Sequence, residues 1–287
     1  MNEFGRYHPI VNMTYFAFAI TSACLFLHPV MLILSLVTSF AYAYFLKGVG
    51  QIKVLCAVIP LAFINPAFNH EGVTILTYLP SGNPLTLESI YFGIACAFVS
   101  ASVILLLGCF CEVMTSDKIV YLLGKISPSL SLFISVSLRF VPEFIRRFSN
   151  VAKARKCMGR GISDGGVFKK IKNVCAVFSA TVTWSLENTI DTADSMRSRG
   201  YGLTGRTAFS IFRFSNRDKK ALVCIILLSA YVTAGAVVGA IEFRYLPFAE
   251  GAPFSLYGLS VFTAYFVLLA LPLFIEVLEV KKWKSIK

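Results

Sequence analysis

The sequence predicts an all-α, polytopic membrane protein with about six transmembrane helices and two cytoplasmic helices, on three observations. Of its 287 residues 56% are apolar and only 15% charged, with a mean hydropathy of +0.72. Soluble chains average roughly 45–50% apolar and about 25% charged residues, and a surplus this large exceeds what one core of this size can bury. The apolar residues also fall into runs of spanning length. Finally, the charge is one-sided: 27 Lys and Arg against 15 Asp and Glu, a net of +12. That balance suits anionic headgroups or an acidic partner. No basic-aromatic tract stands apart from the apolar runs, so nucleic acid is not expected.

A spanning helix needs about 20 mostly apolar residues, with a lower limit near 17. Ile10 to Leu27 meets this, and His28-Pro29 breaks the run. Val30 to Leu46 returns antiparallel, and Ile52 to Phe68 follows with Pro60 and Pro66 inside it. A loop rich in Asn, Gly and Pro comes next, with Gly82-Asn83-Pro84 as a turn. Ser89 to Met114 gives the fourth pass, and Ala221 to Ile241 and Ser255 to Val280 the last two. The first run has neither a strongly positive flank nor a small-x-small cleavage site, so it is expected to stay as a membrane helix. Lys281-Lys282-Trp283-Lys284 fits an interfacial anchor, and Gly235-x-x-x-Gly239 permits close helix approach as ordinary packing.

Three segments are therefore expected: 1–114 with the N-terminal passes, 115–218 as a basic insert, and 219–287 with the last passes. From Arg139 to Lys220 there are 17 basic and 6 acidic residues, nearly the whole excess charge. Lys and Arg near span ends favour the cytoplasm. With six passes and this insert inside, 26 of the 27 basic residues are cytoplasmic and only Arg244 is outside. Both termini are then cytoplasmic.

Within the insert, Ile119 to Val141 is apolar but interrupted by Lys125 and Pro128, and is not counted among the six. Pro142-Glu143 reads as a helix start, with Pro in the first turn and an acid beside it. Phe144, Phe148 and Val151 recur at helical spacing, among Arg146, Arg147, Lys153, Arg155, Lys156 and Arg160. Gly161 is expected to stop this helix, ahead of a Ser163-Asp164-Gly165-Gly166 turn. A second helix follows Lys169, Lys170 and Lys172, with Leu186, Ile190 and Ala193 as its stripe, and ends at Met196-Arg197-Ser198-Arg199-Gly200. Two basic helices thus share a Met then Arg-Gly ending, with Arg160 and Arg199 39 residues apart. A cation in the last turn and a following Gly are ordinary helix-stop chemistry. Two such ends on one exposed basic segment point further, because a guanidinium offers five donors in a rigid fork to an acidic or carbonyl-lined groove.

Other chemistry is poorly supported. The eight cysteines form no Cys-x-x-Cys pair, and His8, His28 and His70 are too dispersed for a zinc site or a catalytic triad. Gly200-Tyr201-Gly202-Leu203-Thr204-Gly205 matches a dinucleotide fingerprint literally, but it follows a helix where that site needs a strand. No P-loop occurs. Glu187, Asp191 and Asp194, at i, i+4 and i+7, form an acidic face. They fit a Mg²⁺-dependent membrane transferase less well than pairing with Arg197, Arg199 or the neighbouring basic helix.

The stretch from Trp184 to Gly202 (WSLENTIDTADSMRSRGYG) closely resembles the second coupling helix of the transmembrane T component of energy-coupling factor (ECF) transporters, importers related to ABC transporters. Ser137-Leu138-Arg139-Phe140-Val141-Pro142 resembles the approach to the first, and Tyr7 to Asn12 and Gly82 to Thr86 also look familial. The family pattern ends each coupling helix in Ala-Arg-Gly; here the triplets are Gly159-Arg160-Gly161 and Ser198-Arg199-Gly200. The resemblance implies a non-catalytic subunit of a bacterial cell membrane importer of vitamins or metal ions, multi-pass and without its own cofactor. It implies partners too: two cytoplasmic ABC ATPase subunits holding ATP and Mg²⁺, one engaged by Arg160 and one by Arg199, and a substrate-capture S component in the bilayer. The alternatives are an ordinary ABC permease subunit, binding solute within its own spans, and the Mg²⁺-dependent transferase. Span interiors with almost no ionisable residues argue against the permease.

Overall fold

The computed structural model describes residues 3–69, 72–78, 84–162, 166–203, 212–246, 248–251 and 255–285. The turns expected at Gly82-Asn83 and Ser163-Asp164-Gly165, and the side chains of residues 281–284, lie outside the described residues. The chain is all-α apart from two small hairpins, β1 (Ile75–Tyr78) with β2 (Pro84–Thr86) and β3 (Phe243–Arg244) with β4 (Glu250–Gly251). It folds as two compact units, residues 1–119 with 212–287, and residues 120–211.

The first unit holds α1 (Pro9–Leu25), α2 (Pro29–Lys47), α3 (Ile52–Phe68), α4 (Leu87–Val113), α8 (Asn216–Val237) and α9 (Leu256–Ser285). All six expected apolar runs are thus helices. Both α1 and α3 have 17 residues, the lower limit for a pass. Of the helices long and apolar enough to cross a membrane, five occur among the described residues: α2, α4, α8, α9 and, against expectation, α6 of the second unit (Pro128–Cys157).

Two histidines have a structural job here. The His8 and His28 Nδ1 atoms accept hydrogen bonds from the Ile10 and Val30 N–H groups, each at 3.3 Å, and a proline follows each as the first residue of its helix. The proline's missing donor costs nothing at that position, and its fixed φ suits the first turn. Burial of His28, whose ring lies 4.9 Å from Phe262, pushes its imidazole below the usual range. The unfolded chain therefore binds the proton better. Stability is full above the unfolded value near 6.5 and falls as pH drops through and below it. The apparent melting temperature of the detergent-purified protein should fall between pH 7 and pH 5, and fall less in His28→Asn, which keeps a cap but cannot titrate.

Small residues set the closest helix approaches. A Cβ at Gly235 of α8 would stand 2.6 Å from Val261 Cγ2 on α9, so Gly235 is a contact point between these helices. Gly239 does something else: its φ of +83° ends α8 in the left-handed conformation. The Gly-x-x-x-Gly motif therefore splits into one packing residue and one cap.

The N-terminal segment is stitched into this unit by polar contacts. Phe4 N–H donates to Glu276 Oε1 of α9 at 3.1 Å, and His8 N–H to Asp218 Oδ1 of α8 at 3.3 Å. Lys118, on α5 (Ser116–Ile126), donates its ammonium protons to the Gly5 and Val113 carbonyls. Glu276 is 0% exposed, which corrects the expectation that the span interiors are almost free of ionisable groups. Asp218 also closes a capping box with Ser215, whose backbone N–H and hydroxyl both donate to Oδ2. The Ser215 cap itself is served by the backbone N–H of Asp218, so Asp218→Ala removes only the charged hydrogen-bond partner, worth about 1.5–3 kcal/mol. Asp218→Ala should thus destabilise this unit by that amount, and Asp218→Asn by less, read as apparent melting temperature.

Candidate functional site

The second unit is built on two long helices, α6 with 30 residues and α7 (Val167–Ser198) with 32. At 1.5 Å per residue they are about 45 and 48 Å long. They pair antiparallel. Phe140 stacks on Trp184 at 6.3 Å, Phe144 meets Phe178 edge-on at 6.4 Å, and the buried Asn173 side chain donates to the Gly161 carbonyl at 2.8 Å. Asn173, Val177 and Thr181 form the buried face of α7 at intervals of four residues.

Two expectations change here. Pro142 does not start a helix. It lies inside α6, which runs unbroken from the apolar Pro128–Val141 stretch into the basic one. An internal proline loses one backbone bond and strains the turn, at a cost of about 3 kcal/mol; aromatic packing on both sides of it, at Phe140 and Phe144, offsets this. Nor does Gly161 stop α6. The left-handed residue is Gly159, at φ +73°, followed by backbone bonds from Gly159 N–H to Lys156 O and from Arg160 N–H to Arg155 O, both at 3.0 Å. Gly200 ends α7 in the same way, at φ +75°, with Gly200 N–H donating to Arg197 O and Tyr201 N–H to Met196 O. Both ends are Schellman motifs. A left-handed backbone, rather than sequence distance from the last charge, selects which glycine closes the helix.

Arg160 and Arg199 therefore occupy different places in equivalent caps. Arg160 follows its glycine, while Arg199 precedes Gly200. Both are exposed, as are Gly159 and Ser198; Gly161 is buried under Asn173. The two arginines do not come together. Asn173 marks the Arg160 end of the pair, and the 26 residues of α7 from there to Arg199 span about 40 Å. The arrangement offers two separate guanidinium tips on one stiff hairpin.

The stripe expected on α7 is uncovered: Leu186 and Ile190 are each 62% exposed. On α6, Leu130, Phe133, Leu138, Val141 and Ile145 are exposed as well. So much apolar surface on one hairpin requires lipid or a partner. The acidic residues Glu187, Asp191 and Asp194 are exposed, and among the described residues no three His, Cys, Asp or Glu side chains stand together as a metal site. Gly200 and Gly202 of the dinucleotide-like motif follow α7 in left-handed conformations, and Thr204-Gly205 lie outside the described residues. An apolar cavity of about 330 Å³ in the first unit is lined by Leu32, Ile33, Tyr91, Phe98, Phe243 and Tyr245, and one of its polar groups has a backbone partner. That group, the Tyr245 hydroxyl, is occupied with the Leu27 carbonyl at 2.7 Å.

Fold and site together define a helical membrane protein that carries a basic hairpin with two capped, arginine-bearing ends. The chain is similar to transmembrane proteins of energy-coupling factor transporters. It is 35% identical over 100 residues to the energy-coupling factor transporter transmembrane protein EcfT of Lactobacillus helveticus, 34% over 101 residues to that of Lactococcus lactis, and 32% over 130 residues to EcfT 1 of Listeria monocytogenes. These stretches cover 34%, 35% and 43% of this chain, and 36%, 38% and 47% of the relatives. The aligned part thus spans less than half the length of the curated relatives it matches. No family model matches the chain. The resemblance to the transmembrane component of ECF transporters is borne out by these bacterial relatives.

Proposed function

We propose that this chain is the T component of an ECF importer, carrying motion from two cytoplasmic ATPase subunits to a membrane subunit that captures the solute. The observation that carries the reading is the second unit, one stiff hairpin with an arginine tip at each end. Two tips about 40 Å apart along α7 suit two ATPase domains better than one groove. A helix pair that cannot shorten transmits displacement at either end to whatever covers its apolar face. The similarity to EcfT proteins supports the same reading. In it, Arg160 and Arg199 seat in the ATPase subunits, the exposed Leu186 and Ile190 face the capture subunit, and ATP and Mg²⁺ stay on the ATPases.

Both termini are then cytoplasmic. The uncharged start of α6, Pro128 to Leu138, is 11 residues, about 17 Å, shorter than the roughly 30 Å hydrocarbon core, and Arg139, Arg146 and Arg147 come after it. In this reading α6 dips into the bilayer from the cytoplasmic face and does not cross it. The solute, a vitamin or a metal ion in the family reading, is chosen by the capture subunit.

The test is co-purification. The tagged full chain is co-expressed with a pair of ECF ATPase subunits, solubilised, and compared with Arg160→Glu/Arg199→Glu. Retention of two ATPases by the wild type, lost in the variant, is the expected result. A folded wild type that never retains an ATPase overturns the proposal.

A further inference from the structure

The junction of the apolar and basic halves of α6 holds an open pocket of about 510 Å³. Arg139, Glu143, Arg146 and Asn150, at i, i+4, i+7 and i+11, put one face of α6 around it. Trp184 of α7 closes the other side, in contact with the Phe140 ring and with the Arg147 guanidinium, which lies 4.9 Å from the indole centre. Three guanidiniums meet one carboxylate here, and among the described residues no ion pair joins Glu143 to any of them. The site has a net positive charge, a side-chain amide and an aromatic wall, the equipment that recognises a phosphate oxyanion.

We propose that this pocket binds the headgroup phosphate of an anionic membrane phospholipid. Phosphate chemistry alone also fits a free phosphate ester, but two features favour the lipid. Leu138, Val141 and Ile145, exposed by 46%, 56% and 62%, lie beside the arginines on the same helix and give acyl chains a surface that a soluble ester leaves unused. A helix that turns from apolar to basic at Pro142 also sets the pocket at headgroup depth, with an indole in its wall as interfacial sites prefer. The site tethers the hairpin to the bilayer surface at its middle. It is distinct from the two arginine tips and does not rest on the coupling proposal.

The experiment uses the full chain alone. It is reconstituted into vesicles of phosphatidylcholine with an equal part of phosphatidylglycerol, extracted into mild detergent, and weighed intact with its retained lipids. Phosphatidylglycerol should be kept over phosphatidylcholine. Arg146→Gln/Arg147→Gln should lower that preference about tenfold, and Arg146→Lys/Arg147→Lys, which keeps the charge and loses the fork, by less. Equal retention of the two lipids by the wild type overturns the proposal whether or not the glutamine variant folds. So does a folded glutamine variant that retains phosphatidylglycerol unchanged. A second arm adds soluble glycerol phosphate before extraction. Failure to displace the lipid is expected; displacement at matched concentration assigns the pocket to free phosphate esters and overturns the lipid proposal.

Discussion

Reversing both helix-end arginines, Arg160→Glu with Arg199→Glu, is expected to lower solute uptake at least a hundredfold in vesicles holding the complete importer, with membrane insertion unchanged. Removing one partner of a seated, hydrogen-bonded charge costs about 2–5 kcal/mol, and each 1.4 kcal/mol is tenfold in affinity. If each tip seats in its own ATPase subunit, as proposed, the two sites are too far apart to compensate for each other and their costs add. The caps supply a charge-neutral control. Gly159 and Gly200 stand at φ +73° and +75°, where a residue with a Cβ is strained by about 1–2 kcal/mol. The Cβ of Gly159→Val meets no atom within 4 Å, whereas that of Gly200→Val would also press on Leu203 Cδ1 at 3.1 Å. Both should weaken uptake without altering any charge, Gly200→Val more than Gly159→Val. Unchanged uptake in the double reversal, with both ATPases bound, would remove these residues from the coupling contact.

Much of this architecture is legible in the sequence because its signals are local. Six apolar runs became six helices, and the His-Pro pairs mark two helix starts by chemistry confined to three residues. Misses arose where the deciding interaction is distant. Pro142 read as a helix start because a proline with a following acid is favoured there; only the pairing of Phe140 with Trp184 and Phe144 with Phe178 carries α6 through it. Gly159 and Gly161 are both plausible stops, and the choice between them is made by φ, which no pattern of side chains displays. Glu276 falls inside the run from Ser255 to Val280 read as the last pass, where almost no ionisable residues were expected. Its carboxylate accepts from the Phe4 N–H, 272 residues away in the chain. The arginine pocket was within reach, since the i, i+4, i+7, i+11 set of Arg139, Glu143, Arg146 and Asn150 is visible in the sequence. What the sequence withheld was the partner across the hairpin, Trp184.

Gly93→Ala, a single methyl, should destabilise the first unit by about 2–4 kcal/mol, the range of severe core changes, and the cause lies in a proline on another helix. Pro66 has no N–H, so the carbonyl of Ala62, four residues earlier in α3, has no helical donor. In hydrocarbon an unpaired carbonyl has no water to turn to. Gly93 of α4 lies against it: a Cβ built on Gly93 would stand 2.5 Å from Ala62 O and 2.9 Å from Pro66 Cδ. Without that Cβ, the glycine Cα can approach closely enough for its C–H to serve as a weak donor to the orphan oxygen. Alanine would collide with a backbone atom, which unlike a side-chain tip cannot rotate away, and α3 and α4 would have to separate. The pair of positions gives its own check. Pro66→Ala restores an N–H to Ala62 O inside α3, draws the carbonyl back toward its own helix, and removes the Pro66 Cδ contact. Pro66→Ala alone should therefore be neutral or stabilising, and Gly93→Ala should cost less with Pro66→Ala than without it. Melting of the four proteins in one detergent measures that coupling. Equal costs of Gly93→Ala in the two backgrounds would show that the carbonyl does not set the approach of α3 to α4.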